Sequence, residues 1–196
     1  MVGGTGLYIQ AFCEGFDLIP EIGKEVRRKI KEEFGTGGLA WLSDMLHTND
    51  PVYLQKDKER NPHRMMRALE VKLGTGTSIL EFQAGKRKNR NFEIIKIGLE
   101  LPRDLLNRQI DDRVDKMMKL GLLKEAERLY PFKNLNALRT VGYRELFDHI
   151  DGLLSLDEAV AKIKINTHRY AKRQMTWFKR DAAIRWQHPE QVMKIR

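Results

Sequence analysis

Apolar positions recur at helical spacing through most of this 196-residue chain and alternate in strand fashion over one short stretch. Residues 2–16 read as a strand remnant, a glycine turn at Gly3-Gly4-Thr5-Gly6, and a helix carried by Leu7, Ile9, Ala11 and Phe12. Pro20 breaks the chain, helices are expected over Glu21–Phe34 and Leu39–Leu46, and Asn49-Asp50-Pro51 and Asn61-Pro62 mark two further starts. Proline suits a first helical position because the amide it lacks would have no partner there, and Asn61 before it supplies a cap. Met65, Met66, Leu69 and Leu73 give that helix its apolar stripe. Phe92–Leu101 alternates through Ile94, Ile95, Ile97 and Leu99 as a strand does. Helices then predominate: Asp104–Leu120 closed by Gly121, Leu122–Tyr130 closed before Pro131, Gly142–Ile150, and a long helix from about Leu156 to Arg180. Ala183–Gln187 predicts a last short strand. The fold class is therefore α/β, predominantly helical, with a helical insertion over residues 22–92 dividing a core built from residues 1–21 and 93–196.

Composition narrows the class. A 41% hydrophobic share is enough for a real core, while 32% charged residues and the lack of any 18-residue apolar run argue against a membrane span. The amino terminus has no basic segment leading into an apolar stretch and cleavage site. One cysteine, Cys13, can make neither an internal disulfide nor a zinc site alone, so a reducing, cytoplasmic compartment is expected. Thirty-six basic against 27 acidic residues leave a net charge of +9 and a pI near 9.7, which makes a polyanion the natural partner. Gly85–Arg90 (GKRKNR) reads as a basic loop.

Three segments could carry chemistry. The glycine turn sets small residues and the Thr5 hydroxyl where the chain enters a helix, whose free amides and dipole suit a phosphate. A tight turn with Thr5 as a simple cap is the plainer reading of that motif by itself. No G-x-x-x-x-G-K-[ST] cradle occurs anywhere in the chain. In Arg103–Asp115, Ile110, Val114 and Met117 share one helical face and Arg113 borders it. Arg113 could fork two donors onto a phosphate, or simply pair with Asp112 or Asp115. The last long helix holds seven Lys or Arg residues between Ala159 and Arg180 and no acid. Val160, Ile163, Tyr170, Trp177 and Phe178 fall on one side, and Lys162, Arg169, Arg173 and Arg180 on another. Lys164, His168, Lys172 and Lys179 fill the adjoining arc. Repulsion with no acid from Ala159 to Arg180 favours a phosphate backbone as the partner of this face, and Gln174 on the apolar side needs a partner or a ligand. The five histidines lack metal-ligand spacing, Cys13 is most simply a core residue, and no nucleophile elbow supports a hydrolase.

Five stretches together resemble the tRNA dimethylallyltransferase (tRNA isopentenyltransferase) family: VGGTGLY at Val2–Tyr8, NPHRMMRALE at Asn61–Glu70, RDLLNRQIDDRVDKM at Arg103–Met117, LNALRTVGYRELFD at Leu135–Asp148 and THRYAKRQMTWFKR at Thr167–Arg180. They stand in the family's order and span nearly the whole chain. The resemblance implies a P-loop NTPase-like core with a helical insertion domain contacting tRNA. The implied reaction moves a dimethylallyl group from dimethylallyl diphosphate to the exocyclic amine of the adenosine 3′-adjacent to the anticodon, with Mg2+ as cofactor. Thr5 would stand beside the reacting atoms and Arg113 would steady the diphosphate. Arg27, the run His63, Arg64, Met65, Met66 and Arg67, and the run Arg139, Thr140, Val141, Gly142, Tyr143 and Arg144 match stretches that touch the tRNA. So do Lys172, Arg173, Gln174, Met175, Thr176, Trp177, Phe178 and Lys179. Gln109 departs from the arginine that many members carry there.

The family's P-loop, with its Lys and Ser/Thr, and the aspartate base that follows it are not in this sequence. Met1-Val2 is also too short for a strand. An amino-terminally truncated member is therefore expected, monomeric when full length and not membrane-bound, whose chain alone does not transfer. Two alternatives stay open: a catalytically inactive tRNA-binding fragment, and an adenine-nucleotide isopentenyltransferase, against which the basic helix argues.

Overall fold

The computed structural model describes residues 1–57, 60–83 and 90–192. Residues 85–89 of the expected basic loop lie outside them; Arg90 lies inside. The chain divides into two compact units, one of Met1–Ile9 with Phe92–Arg196 and one of Gln10–Asn91.

The Gln10–Asn91 unit is helical throughout its described elements. It holds the end of α1 (Gly6–Glu14), then α2 (Lys24–Asn49), α3 (Pro51–Lys56), α4 (Pro62–Thr75) and α5 (Ile79–Phe82). The two helices expected from 21 to 46 run together as α2, interrupted at Gly38, whose φ of 61° only glycine adopts cheaply. Each later helix starts on a side-chain cap. Asn61 Oδ1 accepts from the amides of His63 (3.1 Å) and Arg64 (3.3 Å). Asp50 accepts from the Tyr53 amide (3.2 Å) and also from the Ser78 hydroxyl (2.7 Å), so one buried carboxylate ties the start of α3 to the start of α5. Arg90 donates to the Ala11 carbonyl (3.0 Å), placing its charge at the carboxyl end of α1, where the helix dipole favours a cation. Leu42, Leu46, Met65, Ala68, Leu69 and Val71 form the fully buried centre. Of the expected α4 stripe, Met65 and Leu69 are buried and Met66 packs on the same core, but Leu73 is 43% exposed, and Ala68 and Val71 enter the core as well. Small Ala68 lets α2 approach α4 closely, a packing choice that size reveals and hydrophobicity does not.

The other unit contains β1 (Ile97–Leu99), α6 (Arg103–Lys119), α7 (Leu122–Leu129), 3-10 turns at Tyr130–Phe132 and Asn136–Leu138, α8 (Tyr143–Ile150), α9 (Leu156–Phe178), β2 (Arg185–Gln187) and α10 (Pro189–Val192). β1 and β2 pair in parallel, Ile97 opposite Arg185 and Leu99 opposite Gln187. The strand expected over Phe92–Leu101 is thus three residues long, because a strand extends only as far as its partner supplies hydrogen bonds. Residues 2–3 form no strand, and Val2 is fully exposed. Gly98 is needed here: a Cβ on it would stand 2.7 Å from the side chains of Ile184 and Trp186. Helices α6 to α9 close over a core of Val114, Leu122, Ala126, Leu146, Phe147, Ala159 and Ile163. α9 begins on a capping box, with Ser155 Oγ accepting from the Glu158 amide (3.2 Å) while the Glu158 carboxylate takes the Ser155 amide (2.8 Å). Among the described residues no helix is long and apolar enough to cross a membrane.

Candidate functional site

The glycine turn lies directly on the carboxyl half of α9. A Cβ on Gly4 would run into the Gln174 amide, and one on Gly6 into the Trp177 indole, so both glycines are required by close approach. Gln174 is half-buried against the turn, and its side-chain amide has no hydrogen bond among the described residues. Thr5 sits between them at the N-cap, its carbonyl accepting from the amides of Tyr8 (3.0 Å) and Ile9 (3.2 Å). The Thr5 side chain is exposed and makes no hydrogen bond among the described residues, so its hydroxyl is not spent on capping. Leu7, Tyr8, Tyr170 and Trp177 are large and substantially exposed around this junction or along the same helix face. The apolar side expected of α9 is accordingly buried only in its first half, at Ala159 and Ile163.

Beyond its first turn, where Asp157 and Glu158 stand, α9 has no acid of its own, and neighbouring elements supply some. Lys164 pairs with Asp115 (2.7 Å), His168 with Asp111 (2.9 Å), and Lys179 with Glu100 (2.7 Å). The expectation of a wholly unrelieved basic helix is corrected for these three, since an acid absent from a helix can arrive across a helix–helix contact. Arg173 lies over the Tyr170 ring (5.7 Å), and among the described residues neither it nor Lys172 nor Arg180 has an ion pair. Met175, Thr176 and Phe178 complete the expected run, Thr176 turning its hydroxyl back to the Lys172 carbonyl (3.0 Å).

Arg113 is exposed and makes no ion pair among the described residues. The plainer expectation, a bridge to Asp112 or Asp115, does not form: Asp115 is held by Lys164. Asp111 and Asp115 face α9 one helical turn apart, and Arg113, two positions from each, lies on the other side of α6. No described contact joins Arg113 to the glycine turn.

In Arg139–Arg144 the backbone does the positioning. Gly142 is buried with φ of 107°, a value that a side chain would strain, and its amide donates to Glu145 Oε2 (2.8 Å). Glu145 is 2% exposed and also accepts from Asn166 of α9 (2.7 Å) and from Arg144 (3.3 Å). Burial pushes the Glu145 carboxyl up, but the Gly142 amide, Asn166, its own amide and Arg144 together outweigh it and hold the group below its ordinary value. Glu145 and Asn166 were not singled out from sequence, although the G-x-x-E spacing of a capping box was legible. Arg139 and Thr140 are exposed, Val141 packs on the core, and the Tyr143 hydroxyl donates to Glu125.

The remaining candidates belong to the Gln10–Asn91 unit and are described within it. Arg27 (3.6 Å) and Arg67 (3.1 Å) converge on Glu70. His63 and Arg64 are exposed in the first turn of α4. Met65 is fully buried and Met66 packs on the same core, so the methionines of the expected run face inward, as a period of 3.6 requires beside outward-facing Arg64.

The IPP transferase family model matches residues 1–181. The chain belongs to that family. Its relatives include the tRNA dimethylallyltransferase of Christiangramia forsetii, 46% identical over 186 residues, covering 95% of this chain and 62% of the relative. They also include tRNA dimethylallyltransferase 2 of Parabacteroides distasonis, 46% identical over 195 residues, covering 100% and 65%. The chain thus spans somewhat under two thirds of the length of these curated IPP transferases. Among solved structures, the full-length tRNA isopentenylpyrophosphate transferase of Bacillus halodurans matches with a TM-score of 0.61 at 32% identity, covering 99% of this chain and 63% of that one. A eukaryotic dimethylallyltransferase acting on tRNA matches with a TM-score of 0.73 at 21% identity, covering 99% and 52%, which shows the fold. The expected class, a predominantly helical α/β chain with part of a P-loop NTPase-like core, is the one these IPP transferases have.

Proposed function

We propose that this IPP transferase acts in tRNA modification, moving a dimethylallyl group from dimethylallyl diphosphate to the exocyclic amine of the adenosine 3′-adjacent to the anticodon. The observation that carries the reading is the seating of the Gly3–Gly6 turn on Gln174 and Trp177. It puts the free Thr5 hydroxyl beside the helix that bears Lys172 and Arg173. A small-molecule transferase has no use for a basic track leading away from its phosphate-binding turn; a polynucleotide substrate does. That favours tRNA over a free adenine nucleotide.

Thr5 is assigned to the reacting end, and Arg113, exposed and without an ion pair among the described residues, to the diphosphate. As the carbon–oxygen bond to the diphosphate breaks, negative charge grows on the leaving oxygen, and a guanidinium fork stabilises it. The target base must leave its stack to be reached, at a cost of about a few kcal/mol. Exposed Tyr170 and Trp177 are faces on which splayed loop bases can stack. Arg139, Arg144, Lys172, Arg173 and Lys179 are assigned to the tRNA backbone, with Arg27, His63, Arg64 and Arg67 contributing from the helical unit. Residues 22–92 are assigned as the insertion that contacts tRNA. Magnesium, which the resemblance implies, would reach the protein with the diphosphate; the described residues contain no cluster of three or more His, Cys, Asp or Glu that could hold it by themselves. Cytoplasmic location and a monomeric state are part of the same reading.

The test, on the protein with the family's amino-terminal P-loop segment restored, is label transfer from dimethylallyl diphosphate to tRNA beside transfer to free AMP. Label on the anticodon-adjacent adenosine is expected. Label on AMP in preference to tRNA, or no salt-dependent tRNA binding, would overturn the reading.

A further inference from the structure

We infer that the groove between α8 and α9 is a phosphate subsite for the RNA backbone, separate from the Lys172–Lys179 run and resting on the reading of the protein as a tRNA-acting enzyme. The groove has a volume of about 500 Å3. Arg144 lines it from α8, and Lys162 and Arg169, seven positions apart on one side of α9, line it opposite. That side of α9 differs from the one facing α6. There, Lys164 and His168 are each met by an aspartate. Here, neither Lys162 nor Arg169 has an ion pair among the described residues. Arg169 only donates to Asn166 Oδ1 (3.4 Å), and Lys162 feels the Glu158 carboxylate at a distance.

Two carboxylates also line the groove, and they define its chemistry. Glu145 is consumed by the Gly142 amide, Asn166 and Arg144, so it fixes the groove wall more than it repels a ligand. Asp148 is half-buried and has no ion pair among the described residues. It is therefore a counter-charge that an incoming phosphate must overcome. Arg169 stands one turn before Lys172 and Arg173, so phosphates held in the groove continue onto the next cations of the same helix. This continuity fits a polymer, whose successive phosphates are spaced along a strand, better than a single diphosphate.

The experiment measures tRNA affinity of the 196-residue chain as a function of salt for wild type, for Lys162→Gln with Arg169→Gln, and for Asp148→Asn. The double variant should bind tRNA about tenfold more weakly and lower the slope of log affinity against log salt by ~1.4 to ~1.8, the release expected for two phosphate contacts. Asp148→Asn should move the other way, tightening tRNA binding severalfold. Inorganic pyrophosphate should compete equally poorly against all three proteins. An unchanged slope in the double variant, weaker tRNA binding by Asp148→Asn, or a loss of pyrophosphate competition in the double variant alone would overturn the subsite while leaving the tRNA reading in place. Wild type without salt-dependent tRNA binding would remove both. Should the double variant fail to fold, Asp148→Asn still decides by its sign, because damage to the fold would not strengthen binding.

Discussion

Two groups of arginines in this chain look alike in sequence and differ in what they are free to do. In the helical unit, Arg27 and Arg67 share Glu70, an acid one turn along α4 from Arg67. In the other unit, Arg113, Arg139 and Arg173 have no carboxylate partner among the described residues, although Arg113 has acids on both sides of it in sequence. The difference lies in which acids have already been claimed. Asp115 is turned to α9 and spent on Lys164, and Asp111 lies against His168 of the same helix, which leaves Arg113 on the outer side of α6 with no ion pair among the described residues. A cation kept without an internal partner is available to a ligand; one already paired must first give its partner up.

The sharpest way to break this comparison is Arg113→Ala. Losing one donor to a developing oxyanion typically costs about 2.7–4 kcal/mol of the barrier, so transfer should slow ~10²–10³-fold with tRNA affinity unchanged. Single-turnover transfer at saturating tRNA and dimethylallyl diphosphate, by the protein with the family's amino-terminal P-loop segment restored, checks it, and a wild-type rate would return Arg113 to the solvated surface.

Glu145→Gln comes next. A buried carboxylate accepting from Gly142 and Asn166 should be worth about 1.5–3 kcal/mol in hydrogen bonds to a charged group. Its pKa is lower folded than unfolded, so the stabilisation is complete above the unfolded value, ~4.3, and fades as pH falls through the lower folded value. Denaturant melts of both proteins should therefore differ most at neutral pH and converge in strong acid. A gap that widened on acidification would show the sign to be wrong.

Replacing Lys172, Arg173 and Arg180 together with Gln sharpens the comparison from the side of the free cations. tRNA binding should weaken at least tenfold and its salt slope should fall by ~2, at ~0.7 per single-strand phosphate. Equal slopes for variant and wild type would make this a merely solvated face. The smallest effect is expected at Arg27→Gln. The Arg27–Glu70 pair is half-exposed and Arg67 remains on Glu70, so stability should change by less than about 1 kcal/mol. A loss of tRNA affinity as large as that of the triple variant would erase the distinction between paired and free arginines.

Periodicity and capping chemistry were enough to locate every long helix, because those signals are local. Asn61-Pro62 starts α4 and Gly121 separates α6 from α7, each through groups within four residues of one another. The resemblance of five short stretches likewise carried the family, since motif order along a chain needs no coordinates. Local signals could not set the length of β1, which depends on a partner strand at Arg185–Gln187 far along the chain. Nor could they tell that Leu73 lies outside a core that Ala68 and Val71 enter.

The candidate site divides the same way. The residue types were legible in the sequence: a glycine turn with a hydroxyl, an arginine on an amphipathic helix, and a late helix rich in cations and without acid from Ala159 onward. Which cations remain available was decided only by tertiary structure, because electrostatic pairing acts through space. Asp115 and Glu100 come from other elements to pair with Lys164 and Lys179, and Asp111 lies against His168, while Lys162, Arg169, Lys172 and Arg173 meet no such acid among the described residues. The glycines of the turn were visible as glycines, but the reason for Gly4 and Gly6 in particular is the approach of Gln174 and Trp177 from the far end of the chain.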